Sequence, residues 1–125
     1  MHDSGKRQAF STGAIRDTAE GKPRIDLISP FALRRLGAWL AKGAEKYAER
    51  NWEAGIPMQR CVESLCRHVE SIKAGENDED HLAAAMCNTM FLLHYEEMIA
   101  RGVLPKGLDD RPRYEPKPKR RRRRK

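Results

Sequence analysis

Three apolar stripes of helical period, each bounded by a start or stop signal, restrict the folds open to this chain more than any other feature. Leu33, Leu36, Leu40, Ala44 and Tyr47 recur at three- and four-residue steps after Ser29-Pro30, a capping serine followed by a proline at the first helical position. Met58, Val62, Leu65, Val69 and Ile72 form the second stripe, which follows the break at Gly55-Ile56-Pro57 and stops at Gly75. A third helix is predicted from His81 to Arg101. It is apolar from Leu82 to Leu93, which places it centrally, and Gly102 with Pro105 ends it. No stretch shows strand-like alternation. The expected fold class is all-α, a small bundle of three to four helices.

At 125 residues the chain has room for one domain with a modest core. We expect a flexible arm over residues 1–17, a helical domain over 18–104 and a disordered basic tail over 105–125. The formal charge of +7 belongs to that tail. Lys117, Lys119, Arg120 to Arg124 and Lys125 carry it, so the remainder is close to neutral and any affinity for nucleic acid resides in Lys117 to Lys125. Cys61, Cys66 and Cys87 are odd in number and lack CxxC spacing, which argues against a disulfide framework and for a reducing compartment. With no apolar leader and no uninterrupted apolar span, neither secretion nor membrane insertion is expected.

Several polar clusters exceed what helix ends need. Gly43 to Gly55 gathers Lys46, Glu49, Arg50, Asn51, Trp52 and Glu53. A helix continuing through it would put Glu49 with Glu53, and Lys46 with Arg50, on neighbouring turns. Such a face can hold a metal or a phosphate, or can be a solvated helix end laced with ion pairs. Lys22 and Arg24 lie in a Gly-Pro loop that can present them to an anion, or merely to water. On the second helix Glu63, Arg67 and Glu70 share a face, with His68 at its flank. Glu76 to Asp80 is an acidic loop in which Asn77 or Asp78 can cap the third helix. Capping alone does not use four acids, and a hard divalent cation is the alternative. Asn88 lies two turns after His81 on one face, so the two are expected to line one polar pocket.

Gly21-Lys22-x-Arg24-x-Asp26-Leu27-Ile28, Gly43-Ala44-x-Lys46-Tyr47-x-x-Arg50-Asn51-Trp52-Glu53-x-Gly55, Arg67-His68 with Gly75-Glu76, Asp80-His81-Leu82-Ala83 and Asn88 appear in this order. Together they resemble a family of small phage proteins described as the dATP/dGTP diphosphohydrolase N-terminal domain, over about Gly21 to Tyr95. More distantly the pattern is similar to the all-α MazG-like nucleoside triphosphate pyrophosphohydrolases. Those are homo-oligomers that use magnesium to split a triphosphate into monophosphate and pyrophosphate. The chain departs from them in the third helix, which has no acid three residues after its first polar candidate. The resemblance implies a cytoplasmic enzyme, in the host cell if of phage origin, that acts on a deoxynucleoside triphosphate with Mg2+ or Mn2+. Glu76, Asp80 and His81 are the implied metal ligands, and these with His68 the catalytic set. Lys22, Arg24, Lys46, Arg50 and Arg67 are candidates for the phosphates, Trp52 for stacking on the base, and Asn51 or Asn88 for reading its edge.

Two rival readings remain at this point. One is a phage accessory protein that holds nucleic acid through its basic tail and has a degenerate nucleotide site. The other is a structural helical protein without activity.

Overall fold

The computed structural model describes residues 3–116. Three helices dominate: α1 at Pro30–Lys46, α2 at Met58–Lys73 and α3 at His81–Ala100. The starts and stops follow the local chemistry. Ser29 Oγ accepts from Ala32 N at 3.2 Å, Pro30 opens α1, and Gly75 and Gly102 follow α2 and α3 with φ of 72° and 74°. α2 and α3 are the closest pair, and α1 joins the bundle through α3. No helix among the described residues is long and apolar enough to cross a membrane.

The fold is mostly helical but not purely so. Instead of a flexible arm, the N-terminal segment forms an antiparallel hairpin, β1 (Arg7–Ala9) with β2 (Ile15–Asp17), in the register Arg7↔Asp17, Gln8↔Arg16 and Ala9↔Ile15. Strands of three residues are too short to show an alternation, so the sequence pattern concealed them. Gly13, at φ 87°, lets the turn close, and Asp17 gathers Ser4, Arg7 and Lys22 around its carboxylate.

A second correction concerns the end of α1. Tyr47 N still bonds Gly43 O at 2.9 Å, but Ala48 and Arg50 take φ of 137° and 57°, and a short 3-10 turn follows at Asn51–Ala54. Left-handed backbone at two non-glycine residues stops the helix. Glu49 and Glu53, and likewise Lys46 and Arg50, therefore do not share a helical face. Arg50 bonds Glu53 at 2.5 Å instead.

The core is Met58, Cys61 and Tyr95, with Trp52, Ile56, Phe91, Leu92, Ile99, Leu104 and Leu108 around it. Of the α1 stripe only Leu36 is buried, and Val69 of the α2 stripe is exposed. A stripe marks the apolar face of a helix without fixing how much of it a short chain can cover. α3 buries Ala83, Ala84, Cys87 and Tyr95 but leaves Leu82, Met86 and Leu93 open along one face.

Packing also continues past residue 104. Leu104 and Leu108 lie against the core, and a Cβ added at Gly55 would come within 3.2 Å of Leu108. Asp110 accepts from Gln59 N at 2.8 Å, while Arg111 bridges Asp109 at 2.8 Å and Glu96 at 3.3 Å. Arg111 holds the Asp109 carboxyl down at about 2. A depressed carboxyl stabilises the fold above its ordinary value of 3.8, and that contribution is lost as pH falls toward 2. Acid unfolding followed by circular dichroism should therefore begin at higher pH in Arg111→Ala than in the wild type. The proposed role of Lys117 to Lys125 lies outside the described residues.

Candidate active site

α1 packs more closely on α3 than on α2, and a groove of about 760 Å³ opens between the C-terminal half of α1 and the α2–α3 pair. α1 contributes Trp39, Gly43 and Ala44, and the turn after it contributes Tyr47 to Trp52. α2 contributes Arg60, Ser64 and His68, and α3 contributes Asn88 and Phe91. Ala48 and Arg50, the two left-handed residues, lie on this wall, and backbone held in such regions is concentrated at functional sites.

Aromatic rings form much of the lining. Trp52 stacks on Phe91 with centroids 5.0 Å apart, and His94 meets Trp52 edge-on at 4.9 Å. The fully buried Tyr95 donates its hydroxyl to Trp52 O at 2.5 Å and so pins the turn that carries the indole. Trp39 touches His68 edge-on at 5.8 Å. Asn88 donates to Ala84 O at 3.0 Å and Ser64 Oγ at 3.3 Å, and its oxygen has no protein partner among the described residues. A flat heterocycle with a hydrogen-bonding edge suits these walls.

A second cavity of about 580 Å³ lies at the start of α3, lined by Arg35, Gly75, Glu76, Glu79, Asp80 and His81. Here Asp80, not Asn77 or Asp78, caps the helix, accepting from Ala83 N at 3.2 Å. Both its oxygens also meet Arg35, at 2.9 and 2.5 Å, and that guanidinium holds the Asp80 carboxyl at about 2. The two cavities meet at a histidine pair. His68 Nδ1 and His81 Nδ1 are 2.9 Å apart, and His81 Nε2 is 2.7 Å from Asp78 Oδ1. His81 is only 6% exposed. Its hydrogen bond keeps the Asp78 carboxyl below the usual carboxylate range.

The structure brings Arg50, Asn51, Trp52, Asn88 and His68 to the groove, and Glu76, Asp80 and His81 to the second cavity. His81 and Asn88 thus do not share a pocket. Seven residues along a helix span about 10 Å, enough to carry one face from one cavity to the next. Lys22 pairs with Asp17 at 3.4 Å and Arg24 with Asp26 at 2.8 Å, outside both cavities. Lys46 lies over the Tyr47 ring at 5.1 Å, and Arg67 bonds Glu63 on the exposed side of α2. The sequence reading missed Trp39, Arg60, Ser64 and Phe91, and it took Glu79 only as one of the four acids of the loop. Arg60, Ser64 and His68 recur at four-residue steps, a polar stripe on one face of α2 that could have been found.

The donors at the junction fit a divalent cation. One ligand atom from each of His68, Glu79 and His81 lies within 4.8 Å of the others, and Glu76, Asp78 and His81 form an overlapping group. Cations for an anionic ligand are also present at the groove: Arg60 and Arg50 line it, each paired only with an exposed or half-exposed carboxylate.

A protein of Salmonella phage PMBT28 named dATP/dGTP diphosphohydrolase is 32% identical over 78 residues, which cover 58% of this chain and 27% of that protein. The chain therefore spans little more than a quarter of that relative's length. No solved structure matches. The family model described as dATP/dGTP diphosphohydrolase, N-terminal, matches residues 12–103, a span that contains both cavities' catalytic candidates and the whole of α1 to α3. The chain belongs to this dATP/dGTP diphosphohydrolase N-terminal family.

Proposed function

We propose that the chain binds a purine deoxynucleoside triphosphate in the groove and hydrolyses it to the monophosphate and pyrophosphate. The observation that carries this is the groove's composition: aromatic walls and the free Asn88 oxygen at one side, Arg60 and Arg50 on its walls, and His68 at the junction with the acidic loop. The base stacks on Trp52 or Trp39, and Asn88 or Asn51 reads its edge. Arg60 and Arg50 exchange exposed carboxylate partners for the phosphates. A divalent cation, Mg2+ or Mn2+ among the candidates, would neutralise charge developing on the phosphate and acidify the attacking water. His68 and His81 would help to hold that cation, and Glu76, exposed beside His81, takes a proton from the water as its oxygen bonds the α-phosphorus. The bond from the α-phosphorus to the bridging oxygen breaks, and pyrophosphate leaves. Asp80, committed to Arg35 and to the helix cap, positions His81 rather than touching substrate.

Both tryptophans of the chain, Trp39 and Trp52, line the groove. Intrinsic fluorescence is thus a direct report on it. Adding dATP or dGTP with metal should quench the emission saturably, and Asn88→Ala should weaken the effect. Unchanged emission at millimolar nucleotide would count against binding in the groove.

The coverage of the phage relative favours a second reading, in which this chain binds the nucleotide and the chemistry belongs to the part of the relative it does not match. Self-association is also part of the proposal, through the open face of Leu82, Met86 and Leu93 on α3. Sedimentation should give a dimer or larger at micromolar concentration and a monomer for Leu93→Lys. A monomeric wild type would remove this element.

A further inference from the structure

We propose that His68, His81 and Glu79 form a binding site for a first-row transition-metal dication, with Asp78 holding His81 in the ligating tautomer. The inference rests on the metal-assisted reading above and adds the class of metal and its ligands.

The protonation pattern starts the case. A carboxylate only accepts, so the 2.7 Å contact between Asp78 and His81 puts the single proton of a neutral His81 on Nε2. Nδ1 of His81 is then a lone pair, and what faces it at 2.9 Å is Nδ1 of His68 from another helix. Two metal–nitrogen bonds of about 2.0–2.1 Å at right angles would place their nitrogens about 2.9 Å apart. A carboxylate on the far nitrogen of a ligating histidine is also the usual outer partner in such sites, fixing both tautomer and ring orientation. The third donor is Glu79, whose Oε1 is 4.0 Å from His81 Nδ1 on an exposed side chain free to turn.

The donor set decides the class. Two imidazoles with one carboxylate suit manganese, iron, cobalt or zinc, whereas magnesium and calcium prefer oxygen ligands throughout. Position adds to this. His81 is nine-tenths buried, yet its nitrogens face a carboxylate loop and the groove histidine rather than apolar side chains, and its helix start is held in place by Asp80 and Arg35. A plain hydrogen bond, with His68 Nδ1 donating to His81, is the competing explanation of the 2.9 Å contact.

The test uses metal alone. The full chain, stripped with chelator, is titrated with Co2+ and followed by its visible ligand-field absorption and by calorimetry. The expected result is a single saturating site per chain, displaced by Zn2+ but not by excess Mg2+. His68→Gln and Glu79→Gln should each weaken binding by at least about 10-fold, and Asp78→Asn, which removes no ligand, by about 10- to 100-fold. These three side chains lie at least partly in solvent, so the test does not depend on whether a variant of the buried His81 folds. Absence of a Co2+ site would overturn the proposal in favour of the hydrogen bond. Binding unchanged in His68→Gln would overturn it by placing the metal elsewhere. Metal binding without nucleotide turnover would reject the hydrolase reading alone, and turnover supported by Mg2+ without a Co2+ site would reject this one alone.

Discussion

His68→Ala should lower turnover of dATP or dGTP by about 10²- to 10⁴-fold, because the cation that neutralises the phosphate charge, worth several kcal/mol, loses a ligand. Among the described residues, His68 is the one side chain that both lines the groove and belongs to the histidine and carboxylate cluster. Its removal takes away a proposed ligand of the cation, and also the edge contact on Trp39. The helices should survive, because His68 is not part of the Met58, Cys61 and Tyr95 core. By contrast, Lys22→Ala and Arg24→Ala should change turnover little, since both cations pair with carboxylates, Asp17 and Asp26, outside the two cavities. Steady-state kinetics on the three variants checks the contrast. Equal losses at Lys22 and His68 would mean that the substrate lies on the N-terminal loop and not in the groove.

Tyr95 is where the largest loss of stability is expected. Its ring is fully buried within stacking range of Phe91, at 6.2 Å, and its hydroxyl satisfies the Trp52 carbonyl. Tyr95→Phe removes one of the two hydrogen bonds to that carbonyl, which keeps only the Gly55 N–H at 3.1 Å, and should cost about 0.5–1.5 kcal/mol. Tyr95→Ala adds a cavity at the centre of the core and should cost about 3–5 kcal/mol, a large share of the roughly 5–15 kcal/mol available to a small domain. Urea midpoints measure both. Tyr95→Phe should also weaken nucleotide quenching of tryptophan, because the turn bearing Trp52 loses its tether. Burial pushes the Tyr95 phenol from 10.0 up to about 12. A raised phenol stabilises the fold below its unfolded value and loses that contribution as pH climbs through the folded one. Alkaline unfolding between about pH 10 and 12 should therefore be steeper in the wild type than in Tyr95→Phe. A Phe variant with unchanged midpoint and pH profile would show that the hydroxyl does not hold the turn.

The helices were legible because their signals are local. Ser29-Pro30, Gly75 and Gly102 act on neighbouring backbone groups, and the three stripes follow the period of a helix. What escaped the sequence is non-local. The hairpin depends on Asp17 gathering Ser4, Arg7 and Lys22, and nothing in three-residue strands announces that. The early end of α1 depends on left-handed backbone at Ala48 and Arg50, residues with no intrinsic preference for it. Arg50, Asn51, Trp52, Asn88, His68 and His81, which the resemblance singles out, lie around two adjoining cavities. Trp39 and Phe91 read as ordinary helix residues, and only the packing of α1 against the other two helices makes them walls of the groove. The resemblance implies Asp80 as a metal ligand, whereas its carboxylate pairs with Arg35 and caps α3. Its partner Arg35 is 45 residues away, a pairing that no local pattern announces.

The most direct test of the hydrolase account is phosphorus NMR of dATP and dGTP incubated with the purified chain and a divalent cation, with a chelated control. The account predicts that the triphosphate resonances give way to monophosphate and pyrophosphate, only when the cation is present and at a rate that collapses in His68→Ala. Unchanged triphosphate at stoichiometric chain and metal would contradict it, and inorganic phosphate with a diphosphate would contradict the site of attack.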